Sequence, residues 1–161
     1  MKKPFLIAAV AVALGGTALH FLFDLWPNAL TALVSPVNES VWEHLKLLFW
    51  PMLAAALLLS FRTRRPYDLW SAFFAALLAM PLFLLGVYYL IRCGFGYTAL
   101  WLDITLYYVS VAFGFLLTWR LYQSGTLARR TGVLLMLVMF YAAALVLFTF
   151  AAPPLGIFES A

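Results

Sequence analysis

Five long stretches of apolar residues limit what this chain can fold into more than any other feature. Residues 4–23 and 69–91, for example, contain no Asp, Glu, Lys or Arg, and about 20 apolar residues are enough for a helix to cross a bilayer. Hydrophobic residues make up 66% of the 161 residues and charged residues only 10%, whereas soluble domains carry roughly 25% charged residues. A soluble protein of this size has too little interior to bury so many apolar side chains. The sequence therefore predicts an integral membrane protein and excludes soluble enzymes, nucleic-acid binders and disordered tails.

The predicted architecture is all-α, a single transmembrane domain over residues 1–161 with five membrane-spanning helices. Backbone polar groups in lipid must be satisfied within the segment, which a helix achieves, and no stretch alternates like the strand of a membrane barrel. The last helix is expected to stop before Pro153 because proline cannot continue a helix. The five predicted spans cover approximately residues 4–24, 40–61, 69–91, 102–121 and 131–151.

The distribution of basic residues predicts the orientation of the helices. With the N-terminus inside and the C-terminus outside, eight of the 10 Lys and Arg residues lie on the cytoplasmic side, as the positive-inside rule requires. The formal net charge of +4 is thus explained by topology and does not indicate a nucleic-acid partner. The eight are Lys2, Lys3, Arg62, Arg64, Arg65, Arg120, Arg129 and Arg130.

The connection between the first two spans, residues 25–39, is unusually apolar for an exposed loop. An interfacial or partly re-entrant segment fits this composition better than a solvated loop does. We therefore expect it to fold back over the outer ends of the helices.

Both histidines and most acidic residues are predicted to lie at the outer ends of the first two spans. His20 lies about one turn from the end of the first span, and Asp24, four residues later, shares its helix face. Glu39, Glu43 and His44 surround the start of the second span. Antiparallel neighbouring helices would bring these five side chains to the same membrane depth.

A stripe of small residues predicts that the first two spans are such neighbours. Small side chains let helix backbones approach closely in a membrane. Here they lead at helical spacing towards His20, so that His20 is expected to point inward. The stripe consists of Ala9, Ala13 and Gly16.

The polar cluster is interpreted as a metal site, because ionisable groups inside a membrane are costly and commonly mark function. Imidazoles mixed with carboxylates suit a divalent ion such as zinc. A single Cys93 excludes a multi-cysteine centre. Glu43 is the candidate catalytic base, with the metal activating water. The predicted ligands, for a zinc-like ion or calcium, are His20, Asp24, Glu39, Glu43 and His44.

The same residues have structural explanations as well. Ser40 followed by Glu43 matches a helix capping box, and Glu43 three residues before Lys46 can form an ion pair along the helix. Three classes of function stay open. The first is a metal-assisted enzyme that acts on a lipid. The second is a carrier or binding protein whose ligand at the outer face is a cation, a polar headgroup or a small solute, and the third is a structural accessory subunit without a site. The bilayer is the predicted partner, and a homo-oligomer is left open.

Residues 35–46 (SPVNESVWEHLK), preceded by residues 20–24 (HFLFD), carry a resemblance to a known family. The chain resembles an uncharacterised family of small polytopic bacterial membrane proteins with a domain of unknown function, over most of its length. This resemblance implies a helical fold in the bacterial cytoplasmic (inner) membrane and no established activity. The chain is more faintly similar to the alkaline-ceramidase-like membrane hydrolases, although it lacks the three histidines that hold their hydrolytic zinc. Their calcium-binding composition is echoed here by Asp24, Trp26, Asn28 and Glu39.

Overall fold

The computed structural model describes residues 3–159 and is helical, without strands, throughout that range. Five of the helices described are long and apolar enough to cross a membrane, which confirms the predicted all-α class. Their length and composition suggest a multi-pass membrane protein. Lys2, one of the residues that predict the orientation, lies outside the described residues. The five segments are Lys3–Leu25, Val41–Ser60, Pro66–Gly94, Leu100–Ser124 and Ala128–Phe150.

Two of the long helices extend further than the hydropathy pattern predicts. Proline is favourable in the first turn of a helix, so the third long helix begins at Pro66. The fourth ends at Ser124 because Gly125 adopts a left-handed conformation with φ 64°, which terminates helices. The α-helices are α1 (Lys3–His20), α2 (Leu22–Leu25), α3 (Ala29–Val34), α4 (Val41–Ser60), α5 (Pro66–Tyr89), α6 (Leu100–Ser124) and α7 (Thr131–Phe150).

Helix α5 is at the centre of the bundle, where it packs against α4, α6 and α7. Helix α1 lies on the periphery and packs against α4 and α6. Large side chains from three helices fill the core, among them the buried Phe49, Phe73 and Phe115. The ring of Phe73 packs edge-on against that of Phe115, with centroids 6.0 Å apart. Much of the surface of α1 and α7 is apolar and exposed.

Helices α1 and α4 are direct neighbours, as the stripe of small residues predicts. A Cβ atom added at Gly16 would lie 2.6 Å from the carbonyl oxygen of Leu47 and would also collide with the hydroxyl of Tyr107. That hydroxyl donates to the carbonyl oxygens of Val12 (3.2 Å) and Ala13 (3.0 Å). Gly16 therefore confirms the close approach, and Tyr107 joins α6 to the same contact.

The apolar connection between α1 and α4 contains the short helices α2 and α3. The side chain of Asn28 caps α3 by accepting hydrogen bonds from the amides of Leu30 (2.9 Å) and Thr31 (3.1 Å). The indole Nε1 of Trp50 donates to the carbonyl of Leu33 at 2.9 Å, which fastens the end of α3 to α4. The segment is thus an ordered helical connection, and its depth in a membrane stays a prediction.

Candidate metal centre

Three of the five predicted ligands come together where the end of α1 meets the start of α4. The candidate ligand atoms of His20, Glu39 and His44 all lie within 4.8 Å of one another. His20 is the last residue of α1, and His44 lies in the first turn of α4. Their ring centroids are 5.1 Å apart, so the two helices run antiparallel and meet at this end. We call this set the His–Glu–His group.

The orientation of His44 is fixed by its own helix. Its Nδ1 atom lies 2.8 Å from the carbonyl oxygen of Ser40. Because a carbonyl oxygen can only accept, Nδ1 carries the hydrogen and donates it. In the neutral ring the lone pair is then on Nε2, which lies 3.4 Å from Oε2 of Glu39. Two electron-pair donors therefore face each other, and such a contact needs a proton or a cation between them.

His20 is held against this pair by the connection that follows it. The hydroxyl of Ser35 donates to the carbonyl of Leu19 at 2.6 Å and accepts from the amide of Phe23 at 3.1 Å. This clamp fixes the end of α1 to the loop that carries Glu39. The Nδ1 atom of His20 is buried and has no hydrogen-bond partner among residues 3–159, so that the ring is positioned by packing and by its backbone.

The His–Glu–His group opens to solvent on the side of Glu39. The side chain of Glu39 is 68% exposed and that of His44 31%. Three protein ligands and an accessible fourth position are the arrangement of zinc sites that also bind water or another ligand. The group can therefore hold a metal ion that remains reachable from outside the protein.

Glu43, the predicted catalytic base, is not part of the His–Glu–His group. Adjacent residues on a helix point about 100° apart, and Glu43 faces the protein interior, where it is 2% exposed. Its Oε2 atom lies 2.6 Å from Nζ of Lys46 and accepts from the amide of Val37 at 3.0 Å. Its Oε1 atom accepts from the hydroxyl of Thr149 at 3.1 Å. These contacts occupy the carboxylate, in agreement with the ion-pair interpretation.

Lys46 completes a buried polar network around this carboxylate. Its ammonium group also donates to the carbonyl oxygens of Ala32 at 2.8 Å and Ser35 at 3.4 Å, and the residue is 0% exposed. With Glu43 as third acceptor, every ammonium hydrogen has a partner. The network fastens α3 and the loop after it to α4 and α7.

Asp24 and the predicted capping box also differ from the expectation. Asp24 lies in α2 with an exposed side chain, outside the His–Glu–His group. Ser40 does cap α4, since its hydroxyl accepts from the amide of Glu43 at 3.3 Å. The return half of the box is replaced, because the amide of Ser40 donates to Oδ1 of Asn38 at 2.9 Å and the carboxylate of Glu43 is engaged elsewhere.

Sequence reasoning missed Thr149 and Ser35 as contributors to this region. Thr149 is far from Glu43 in the chain, so no local spacing connects the two residues. Its one signal in the sequence is a threonine near the end of the apolar fifth span. Ser35 ends α3, and its hydroxyl donates to the carbonyl of Leu19 at the end of α1, a contact that no spacing in the sequence predicts.

One family model, described as "Family of unknown function (DUF6512)", matches residues 1–161. The match therefore includes all the helices and the whole His–Glu–His group. No curated protein and no solved structure matches the chain.

Proposed function

The chain belongs to the DUF6512 family, a family of unknown function, as its resemblance to an uncharacterised family predicts, and we propose a function for it from the geometry of its polar residues. The protein is a multi-pass membrane protein that binds a divalent transition-metal ion of the zinc type. The ligands are His20, Glu39 and His44, and the orientation predicted from the basic residues places this site at the outer face of the membrane.

The observation that carries this proposal is the contact between His44 and Glu39. Their facing Nε2 and Oε2 atoms are 3.4 Å apart. Two ligands of a tetrahedral zinc ion, each bound at about 2.0–2.1 Å, are separated by about 3.3 Å. The Nδ1–H group of His44 is already bonded to a backbone carbonyl, which is how metal-binding histidines are commonly oriented. A metal ion would replace the proton that this contact otherwise needs.

The ligand set favours a zinc-type ion over calcium. Calcium takes six to eight oxygen ligands, whereas two of the three groups here are imidazoles. Nitrogen ligands with one carboxylate suit borderline transition ions. The exposed side chain of Glu39 can move, so the group can close around an ion from its present spacing of up to 4.8 Å.

The structure supports metal binding more directly than it supports hydrolysis. A hydrolytic site needs a carboxylate or another base near the water on the metal. Glu43, the candidate for that role, accepts hydrogen bonds from Lys46, Val37 and Thr149, and Glu39 serves as a ligand. The proposed role is therefore to take up a metal ion at the outer face and to hold it with one position open.

The test uses the full chain purified in detergent and stripped of metal with a chelator. After incubation with zinc chloride and removal of free metal, elemental analysis is expected to find about one zinc ion per chain. The variants Glu39→Gln and His44→Gln are expected to bind zinc at least tenfold more weakly. Asp24→Asn is the matched control, because it removes an exposed carboxylate at the same end of the bundle, outside the group.

The alternative is an ion pair between Glu39 and a protonated His44, and this alternative predicts no retained zinc. Retention by His44→Gln at the wild-type level would contradict the proposed ligand. An equal loss in Asp24→Asn would show that surface acids collect the metal without a defined site. Circular dichroism of each variant verifies that the helices are intact.

A further inference from the structure

A long apolar groove runs between α1 and α4 and takes no part in the His–Glu–His group. It has a volume of about 810 Å³. The groove is open because many of the residues that line it on both helices have small side chains. Along α1 it extends from Lys3 to Leu19, which corresponds to about 24 Å of helix. The small residues that line it are Ala8, Ala11, Gly15, Ala54 and Ala55.

Two basic residues lie at one end of this groove. Lys3 begins α1 and Arg62 follows the end of α4, and both line the groove. The antiparallel arrangement of α1 and α4 brings them to the same end of the bundle. Neither has a carboxylate within 4.0 Å among residues 3–159, whereas the nearby Arg65 is paired with Asp68 at 2.6 Å. The groove thus combines an apolar channel with two uncompensated positive charges at its mouth.

We propose that this groove binds a phospholipid with an anionic headgroup. One acyl chain lies along the small residues of α1 and α4, and the phosphate contacts Lys3 and Arg62. Basic pockets between membrane helices recognise anionic headgroups in this way. The groove is longer than half of the ~30 Å hydrocarbon core, so that it accommodates an acyl chain from the leaflet on the side of Lys3.

Charge complementarity favours a lipid as the occupant of the groove. Lys3 and Arg62 lie at one end of a groove whose other lining residues are apolar. This distribution matches a phospholipid, whose anionic headgroup lies at one end of its apolar acyl chains. Both side chains are exposed, so a phosphate group can reach them at the end of the groove.

Native mass spectrometry of the full chain in detergent tests this proposal. The protein is offered equal amounts of phosphatidylglycerol and phosphatidylcholine with identical acyl chains. We expect the anionic lipid to be retained with a preference on the order of tenfold. The double variant Lys3→Gln/Arg62→Gln should lose this preference. Arg129→Gln/Arg130→Gln removes two exposed basic residues outside the groove and should keep it.

A second variant tests the groove itself. Ala54 is an exposed residue of the groove wall, so Ala54→Phe fills the channel without overpacking the core and should abolish retention of the anionic lipid. Equal retention of both lipids by the wild-type protein would overturn the proposal, and so would persistent preference in Lys3→Gln/Arg62→Gln or undiminished retention in Ala54→Phe. A wild-type dimer that Ala54→Phe dissociates would assign the groove to a second copy of the chain instead.

Discussion

The Nζ atom of Lys46 lies 2.6 Å from Oε2 of Glu43, and the two side chains are 0% and 3% exposed. Removing two charges from water is costly, and the cost is offset only when their remaining hydrogen-bonding positions are also satisfied. Backbone carbonyls of the α3 connection meet this need for the ammonium group, and Val37 and Thr149 meet it for the carboxylate. The pair thereby determines where the connection that carries Glu39 lies on α4.

The first prediction concerns this buried pair. Lys46→Met should lower the free energy of unfolding by about 3–5 kcal/mol, because the carboxylate of Glu43 loses its cation while it stays buried. Unfolding of the variant by SDS in mixed micelles, followed by circular dichroism, measures the loss. The double variant Glu43→Gln/Lys46→Met should lose less than Lys46→Met alone, because it leaves no unpaired charge.

The control for this prediction is the ion pair of Arg65 and Asp68, which has the same spacing of three residues. There the side chain of Arg65 is 49% exposed, and exposed pairs contribute about 0–1 kcal/mol. Arg65→Gln should therefore have a much smaller effect than Lys46→Met. Equal effects would show that burial of the Glu43–Lys46 pair is not what makes it important.

The second prediction concerns Ser35, which positions the metal ligands without contacting them. Ser35→Ala leaves the carbonyl of Leu19 and the amide of Phe23 without their side-chain partner, which should cost about 1–3 kcal/mol of stability. Because the clamp joins the end of α1 to the loop of Glu39, zinc affinity measured by competition with a chelating dye should fall as well. Thr105→Ala is the control, since that hydroxyl bonds only within α6 and is exposed. Unchanged zinc affinity in Ser35→Ala would separate the clamp from the site.

The third prediction concerns the contact of α1 with α4. Gly16→Ala should destabilise the protein by about 1–3 kcal/mol through overpacking, because a rigid backbone carbonyl lies in the way of the new Cβ atom. Gly86→Ala is the matched control in α5, where a Cβ atom would meet nothing within 4 Å and helix propensity favours alanine. The SDS midpoint should fall for the first variant and hold or rise for the second. A rise in both would contradict the close contact at Gly16.

The fourth prediction concerns orientation in the membrane. Eight of the 10 basic residues lie on one side if the N-terminus is inside, and this asymmetry determines topology. In a bacterial host, a reporter enzyme that functions only outside the cytoplasm should be active when it is fused after Glu159. A reporter fused after Ser124 should be cytoplasmic and provides the control. A cytoplasmic signal after Glu159 would contradict both the orientation and the placement of the site at the outer face.

The sequence predicts the helices well because uncharged runs of about 20 residues have few alternatives in a membrane protein. The sequence also predicts that His20 and His44 lie close together at the same end of the bundle, because counting turns on two antiparallel helices is sufficient for that prediction. It could not tell which of the adjacent Glu43 and His44 faces the site, because the answer depends on tertiary contacts of Glu43 with the connection before α4 and with the last helix. Helical periodicity could not place Glu39, because that residue lies in a loop. It also could not exclude Asp24 from the site, because the helix is interrupted at Phe21, between His20 and Asp24.

X-ray absorption spectroscopy of the zinc-loaded full chain tests the central claim most directly. The proposal predicts a four-coordinate ion with nitrogen and oxygen ligands at about 2.0–2.1 Å and the scattering pattern of two imidazoles. His44→Gln should reduce that pattern to a single imidazole or abolish binding. A chain that retains no zinc, or a spectrum without imidazole scattering, would contradict the metal site and leave His44 and Glu39 as an ion pair at the end of the helices.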